Sequence, residues 1–362
     1  MGGEQPRLRA ALDDIPEYRA GQAPAAREDI ETFKVSSNEN PYPPLPIVLE
    51  AIAAVAARMN RYPDPASTEL VAALAAFYDV PGTHIALGTG AVALCYQVAH
   101  STAEVGDEII YAWRSFEAYP IVTRVAGASA VEVPLTDTDH HDLDAMASAI
   151  TDRTRLIFVC SPNNPTGTTV AAKGFASFMA KVPRDVVVVL DEAYAEFARD
   201  PEGVDGLKIY GEYPNLVVLR TFSKAYGLAG LRVGYAIGAP SIIAALRKTA
   251  LPFGISVVAQ AAAVASLSPE ASRELASRVD ALVQERTRVI AGLRAAGWVV
   301  ADSHANFVWL DTGERTTEVA AAFEAAGLTV RPFAGEGVRI TIAETDANDR
   351  IIDVAATLLP PV

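Results

Sequence analysis

Between residues 107 and 238 the chain sets down the apolar runs DEIIYAW, ASAVEVPL, TRLIFVCSP, DVVVVLDEAY, NLVVLRTFS and RVGYAIG, most of them separated by helical stretches. This alternation narrows the fold more than any other feature. A strand with one wet face alternates apolar and polar residues, and VVVVL does not alternate. It has to be covered on both faces, which is the condition of a mostly parallel sheet with helices packed above and below. An α/β domain is therefore expected over residues 41–250. Its first helices are read in LPIVLEAIAAVAARMN and in STELVAALAAFYDV, the latter with Ser67 or Thr68 as N-cap. Residues 1–40, rich in proline, asparagine and charge, read as an N-terminal arm of turns rather than a packed element. Residues 251–362 read as a smaller α+β domain: one long amphipathic helix in SPEASRELASRVDALVQERTRVIAGLRAAG, then strands in AGWVVADSHANFVWL, GLTVRPF and GVRITIA around the helix TEVAAAFEAAG.

Composition removes whole classes of function. With 51% hydrophobic residues in 362, the chain can bury a large core. A formal net charge of -14 repels phosphate backbones and anionic lipid, so no nucleic acid partner is expected and a DNA-binding regulator on the same scaffold is disfavoured. No window reaches the apolar length of a membrane span, and MGGEQPRLRAALDDIPEYRAG has no signal-peptide core. The two cysteines, Cys95 and Cys160, lie inside apolar segments and read as buried thiols in a reducing, cytoplasmic compartment. His140 and His141 fall in what reads as a surface loop, without further ligands at metal-binding spacing, so no metal is expected.

Chemistry is expected where the parallel strands end, because ligands of open α/β sheets gather at the carboxyl edge. GTGAVAL follows HIAL: the N–H groups of Gly90 and Ala91, at a helix start, suit an anion. CSPNNPTG follows LIFV with Asn163 and Asn164 in a tight turn. LDEAY sets Asp191 at the end of a buried strand, where a carboxylate needs a partner. LVVLRTFSK ends on Lys224, with Thr221 and Ser223 before it and Arg232 after it. An anion cradle, a buried carboxylate and a strand-end lysine together are what pyridoxal 5'-phosphate requires: an amine for its aldehyde, a carboxylate for its ring nitrogen, and donors for its phosphate.

These same motifs, with IPEY, SSNENPYPPLP, NRYPDP and VRITIA, resemble over nearly the whole chain the fold-type I pyridoxal phosphate aminotransferases, in the class II branch that holds the histidinol-phosphate aminotransferases. GTGAVAL, AWRSFEAYP and RTFSKAYGLAGLRVGYAIG are most similar to its aromatic amino acid and phenylalanine aminotransferase subgroup. The resemblance implies Lys224 as the Schiff-base lysine, Asp191 as partner of the pyridine nitrogen, and Asn164 and Tyr194 at the phenolic oxygen. It implies Phe116 as the stacking ring, and Gly90, Ala91, Thr221, Ser223 and Arg232 as phosphate contacts. Arg339 would grip the substrate carboxylate with Arg331 as a second cation, Asn164 also near substrate, and Tyr18 closing over it. Tyr62 would reach the phosphate of a neighbouring subunit, which implies a homodimer.

Two departures bear on substrate. Histidinol-phosphate enzymes commonly carry an acidic pair in the segment matching Gly90–Val92, and Pro-Thr-Tyr where this chain has Arg114-Ser115-Phe116. Phe116, Tyr18, Phe333 and Tyr119 offer apolar walls for a phenyl or phenol ring. The expected reaction is transfer of the amino group of phenylalanine, tyrosine or tryptophan to a 2-oxo acid such as 2-oxoglutarate. Histidinol-phosphate transamination is the alternative, and amino acid decarboxylation on the same scaffold a third.

Overall fold

The computed structural model describes residues 29–358 together with Pro6, Leu8, Arg9, Leu12, Asp13, Ile15, Tyr18 and Gly21. Half of the arm expected at residues 1–40, including part of IPEY, lies outside the described residues. In chain order the elements begin with β1 (Phe33–Lys34), α1 (Pro46–Ala56), α2 (Thr68–Tyr78), β2 (Ile85–Gly88) and α3 (Ala91–Thr102). Then come β3 (Glu108–Trp113), α4 (Ala118–Ala126), β4 (Ser129–Pro134), α5 (Leu143–Ser148), β5 (Thr154–Cys160), α6 (Ala172–Met179) and β6 (Val187–Asp191). The short α7 (Gly206–Ile209) leads to β7 (Leu216–Thr221), β8 (Gly234–Gly238), α8 (Pro240–Thr249), α9 (Val257–Ser266) and the long α10 (Pro269–Ala295). Last come β9 (Phe307–Asp311), α11 (Thr316–Ala325), β10 (Leu328–Thr329), β11 (Arg331–Phe333), β12 (Gly337–Thr341) and α12 (Thr345–Thr357).

The central sheet has seven strands in the order β2-β8-β7-β6-β5-β3-β4. β8 runs antiparallel to both its neighbours, and the other pairs are parallel. Period-two geometry divides its apolar residues between two cores. Phe158, Val189, Val217 and Leu219 point into one, with Leu94, Val98 and Tyr119. Ile157, Val159, Val188, Leu190 and Val218 point into the other, with Phe175 and Phe178. This two-sided burial is why VVVVL carries no polar residue. A third core joins the sheet β11-β12-β9 to α10 and α12 through Val289, Phe307, Val338 and Ile351, and continues into Leu45, Leu70, Phe222 and Tyr235.

Three local expectations differ from the structure. Residues 33–40 are packed rather than a loose arm: β1 pairs with β10, Phe33 opposite Leu328, and Val35, Ser36 and Asn38 are buried. Burial outweighs the polar look of SSNEN because its side chains find partners in the interior. At α2, neither Ser67 nor Thr68 caps with its side chain: Ser67 is the N-cap residue without a side-chain bond, and Asp64 accepts from Thr68 N (2.7 Å) and Ala66 N (3.0 Å) instead. In AGWVVADSHANFVWL only the last four residues are strand, the start of Phe307–Asp311; Trp298 is buried while Val299 is exposed. The long helix behaves as read, with Ser268 Oγ accepting from Ala271 N and Pro269 at its first position.

Register carries the strand ends to one edge. Cys160 lies opposite Asp191, Thr221 opposite Gly234, and Gly88 opposite Gly234. The reversed β8 thus starts at the edge where its neighbours finish. Gly234 is pressed against the turn before α3: a Cβ there would lie 2.6 Å from Ala91 N and 2.8 Å from Gly90 C, backbone atoms with little room to move. Gly234→Ala should therefore destabilise the ligand-free protein by about 1–3 kcal/mol, read as a lower denaturation midpoint at unchanged slope; an unchanged midpoint would mean the turn yields freely.

Candidate active site

At that edge a cavity of about 280 Å³ is lined by Tyr18, residues 36–39, Ala91, Phe116, Glu117, Cys160, Asn164, Asp191, Tyr194, Thr221, Ser223, Lys224, Arg232, Arg331 and Arg339, among others. The sequence-derived candidates converge on it. Gly90 stands just behind its wall, and Tyr62 is the outlier. Tyr62 is 84% exposed, its ring 4.7 Å from that of Phe253, and it does not line this cavity.

The side of the cavity at α3 is built for an anion. Gly90, at φ 84°, is the N-cap of α3, so the first N–H groups of a helix of 12 residues open towards it. A side chain on Gly90 would collide with the Arg232 guanidinium, so glycine is what leaves this cradle open. Arg232 Nη1 donates to Ser223 Oγ (3.3 Å) and to Ala229 O (2.8 Å). Ser223 N donates to Thr221 Oγ1 at 3.1 Å, and Thr221 Oγ1 donates to Ser223 Oγ at 3.0 Å, a hydroxyl pair at the foot of the cradle. Backbone donors, a cation and two hydroxyls fit a phosphate group.

At the opposite wall Asp191 is 3% exposed. Burial pushes its carboxyl above the ordinary range, while the hydroxyl of Tyr119 (2.8 Å) and the N–H of Ala193 (3.2 Å) pull it back by donating to it. Tyr119 is fully buried and its ring stacks on Phe158 at 4.5 Å, 11° from parallel. It is therefore not the pocket wall that the sequence suggested but the support of Asp191. Phe333 is no wall either: it lies outside the cavity lining, buried against Trp309, with the guanidinium carbons of Arg114, Arg331 and Arg339 at 5.4, 5.4 and 5.8 Å from its ring. Phe116 does line the cavity, edge-on to Tyr119 at 5.6 Å.

Lys224 Nζ donates to the carbonyls of Ser37 (3.1 Å) and Asn38 (3.2 Å). Burial, helped by the charge of Arg339, lowers its pKa to about 7. An amine in this setting is neutral for much of the time at neutral pH and so is a nucleophile and a proton acceptor. Asn38, at φ 53°, donates from Nδ2 to Tyr194 OH (3.0 Å) and from its backbone N–H to Thr341 Oγ1 (2.9 Å). Asn40 Nδ2 donates to Ala225 O at 2.8 Å. The SSNEN segment, missed as a site element, thus holds both Lys224 and Tyr194; a run of asparagines and serines ahead of the first helix was its available signal.

Arg339 is buried and spends its charge on neutral partners, Nη1 on Asn164 Oδ1 (2.5 Å) and Nη2 on Ser36 O (2.6 Å). Its Nε has no partner among the described residues. A buried guanidinium that lines a cavity and has only neutral partners suits a carboxylate. Arg331, by contrast, is already paired: its Nη2 donates to Glu117 Oε2 at 2.9 Å. His141 also differs from expectation, being buried with Nε2 3.1 Å from Asn163 Oδ1 and a pKa lowered to about 4 by burial. Its neutral ring helps fix the Asn163–Asn164 turn. Both cysteines are free and buried. No helix among the described residues is long and apolar enough to cross a membrane.

Two outcomes follow for the ligand-free protein. Lys224 loses its proton as pH rises through about 7, whereas an ordinary lysine does so at about 10.4. Reductive methylation with formaldehyde, read by peptide mass spectrometry, should label Lys224 with a midpoint near pH 7; a midpoint in the ordinary lysine range would show that the cavity does not lower its pKa. Since the unfolded chain keeps the ordinary value, this residue makes folding more favourable as pH climbs across that same interval. Tyr119→Phe removes a donor from a buried carboxylate and should cost about 1–3 kcal/mol of stability, measured by denaturation; no loss would mean that water or a moved group replaces the hydroxyl.

A family model described as aminotransferase class I and II matches residues 30–354. The chain is 60% identical over 354 residues, 98% of both chains, to an aromatic amino acid aminotransferase of Streptomyces avermitilis. It is 56% identical over 352 residues, 97% of both, to a protein of the same name from Thermobifida fusca. Among solved structures, the histidinol-phosphate aminotransferase of Sinorhizobium meliloti in complex with pyridoxal-5'-phosphate matches with a TM-score of 0.85 at 27% identity, over 99% of this chain and 97% of that one. With the family match and this agreement in fold, the chain belongs to the class I and II aminotransferases and has the fold-type I architecture.

Proposed function

We propose that this protein is a pyridoxal 5'-phosphate-dependent aminotransferase that moves the amino group of phenylalanine, tyrosine or tryptophan to a 2-oxo acid such as 2-oxoglutarate. The observation that carries the reading is the meeting, in one cavity, of the Lys224 amine and a buried arginine, Arg339, whose hydrogen-bond partners are all neutral. Relatives more than half identical over nearly the full chain are named for aromatic amino acids. The solved histidinol-phosphate aminotransferase is at 27% identity, much further away.

When bound, the cofactor supplies an aldehyde that captures amines and a conjugated ring that accepts an electron pair. The residues present fit it. Gly90, Ala91, Thr221, Ser223 and Arg232 would hold its phosphate, Phe116 its ring face, Asn164 and Tyr194 its phenolic oxygen, and Lys224 its aldehyde carbon. Asp191, with its charge kept by Tyr119 and Ala193, would hold the ring nitrogen in its protonated form.

Arg339 would grip the substrate carboxylate, using Nε and giving up one of its neutral partners, which fixes the orientation of the substrate α-carbon. Lys224 Nζ, neutral near pH 7, then takes the α-proton and later returns one, the general acid–base step of each half-reaction. Tyr18 and Phe116 cover the aromatic ring of the donor and limit its access to water. Tyr62, turned outward beside Phe253, would reach the cofactor phosphate of a second copy in a homodimer. The buried free thiols suit a cytoplasmic setting.

Mixing the holoenzyme with a single donor and no acceptor separates the candidate substrates. Phenylalanine should convert the bound cofactor to its amine form, seen by absorbance, with an apparent second-order rate constant at least about tenfold above that for histidinol phosphate. Release of phenylpyruvate should match the converted cofactor one for one. Lys224→Ala should bind the cofactor and lose turnover by several orders of magnitude. Preference for histidinol phosphate would replace the substrate assignment, and release of carbon dioxide would replace the reaction class.

A further inference from the structure

The end of the cavity proposed to take the substrate anion, distinct from the phosphate cradle at α3, holds two arginines that face each other across the β11–β12 ladder, Arg331 opposite Arg339. Like charges directly opposite in a sheet repel unless something compensates them. Only one of the two is compensated by a carboxylate: Arg331 pairs with Glu117 at 2.9 Å, their side chains 12% and 31% exposed. Arg339 has only neutral partners and keeps a free Nε among the described residues. Arg114, the third guanidinium around Phe333, is likewise held by a carboxylate, that of Glu336. So one net positive charge is left where the substrate anion binds. That matches a carboxylate, which carries one negative charge. A phosphate monoester carries about 1.5 to 2 at neutral pH, and it would meet the Glu117 carboxylate next to the second arginine it needs.

We propose that Glu117 is a specificity-determining residue: by holding Arg331, it tunes the anion end of the cavity to a carboxylate and against a phosphate ester at the same position. The inference rests on the proposed substrate-binding role of Arg339 and gives it a physical basis for rejecting histidinol phosphate, whose flat ring is otherwise compatible with the cavity. Glu117 reaches this position because it directly follows Phe116 at the entry to α4, so the segment that supplies the ring wall also supplies the countercharge. A chain with an uncharged residue at 117 would leave Arg331 free beside Arg339, two cations for one dianion.

The test uses two unreactive ligands that differ only in the charged head, 3-phenylpropionate and 2-phenylethyl phosphate, titrated calorimetrically into the holoenzyme, whose own phosphate site is filled. Glu117→Gln should tighten 2-phenylethyl phosphate by about tenfold while changing 3-phenylpropionate by less than about threefold. Glu117→Asp, which keeps the charge, should retain the wild-type preference for the carboxylate. Equal shifts for both ligands in Glu117→Gln, or no shift in either, would overturn the proposal and leave the pair as a structural clasp. Because binding is read without turnover, this result is independent of whether the half-reaction with phenylalanine succeeds. In single turnover, the same variant should lower the ratio of phenylalanine to histidinol phosphate rate constants; an unchanged ratio would also overturn it.

Discussion

A parallel sheet buried on both faces leaves its chemistry one place to go. The inner residues of β5, β6 and β7 have no wet face, their apolar side chains alternating between two closed cores, and the strands' polar residues stand towards their ends. Polar groups can therefore appear only where the strands stop, and register decides which of them meet. Cys160 beside Asp191 and Thr221 beside Gly234 bring the ends of β5, β6 and β7 and the start of β8 to one edge of the sheet. The cradle before α3 is at the same edge because β2 pairs with the reversed β8 and ends opposite Gly234. Everything that follows in the site depends on that alignment.

Burial then sets the charges. Asp191 and Lys224 are both pushed towards their neutral forms by leaving water, and each is answered differently. Asp191 receives two donors, which favour the ionised form that a protonated ring nitrogen needs. Lys224 receives only carbonyl acceptors, and burial with the charges of Arg339 and Arg232 outweighs the opposing charge of Glu39, so its pKa stays low. One buried group has donors that oppose its neutralisation and the other has none to protect its charge, which suits the proposed pair of charge stabiliser and proton carrier. Arg339 cannot relax by losing its proton to the same degree, because arginine stays ionised under ordinary conditions. It remains a cation in search of an anion.

Much of this was legible in the chain. Strand runs, their ends, and the residues Lys224, Asp191 and Arg232 follow from local pattern, Arg339 from the family resemblance, and the structure collects these residues around one cavity. What escaped was long-range pairing. Tyr119 meets Asp191 across 72 positions, Lys224 meets Ser37 across 187, and Arg331 meets Glu117 across 214. Tyr119 looked like a ring for the pocket because hydrophobicity describes its body and says nothing about where its hydroxyl ends up. SSNEN looked like a loop because polar composition marks a turn equally well whether its side chains face water or a buried site.

The last of these segments shows how the two sheets come to share one cavity. Asn38 is joined by hydrogen bonds to Tyr194 beyond β6, to Thr341 at the end of β12, and through its carbonyl to Asn306 and Lys224. Ser36 gives its carbonyl to Arg339. Lys224 follows a strand of the central sheet and Arg339 belongs to the three-stranded one, and Ser36, Ser37 and Asn38 bond to one or the other. A strained left-handed backbone at Asn38 is tolerable there because these partners fix it. The segment therefore couples the position of the Lys224 amine to that of Arg339, so that the proposed proton transfer and carboxylate binding would be aligned by the same few hydrogen bonds.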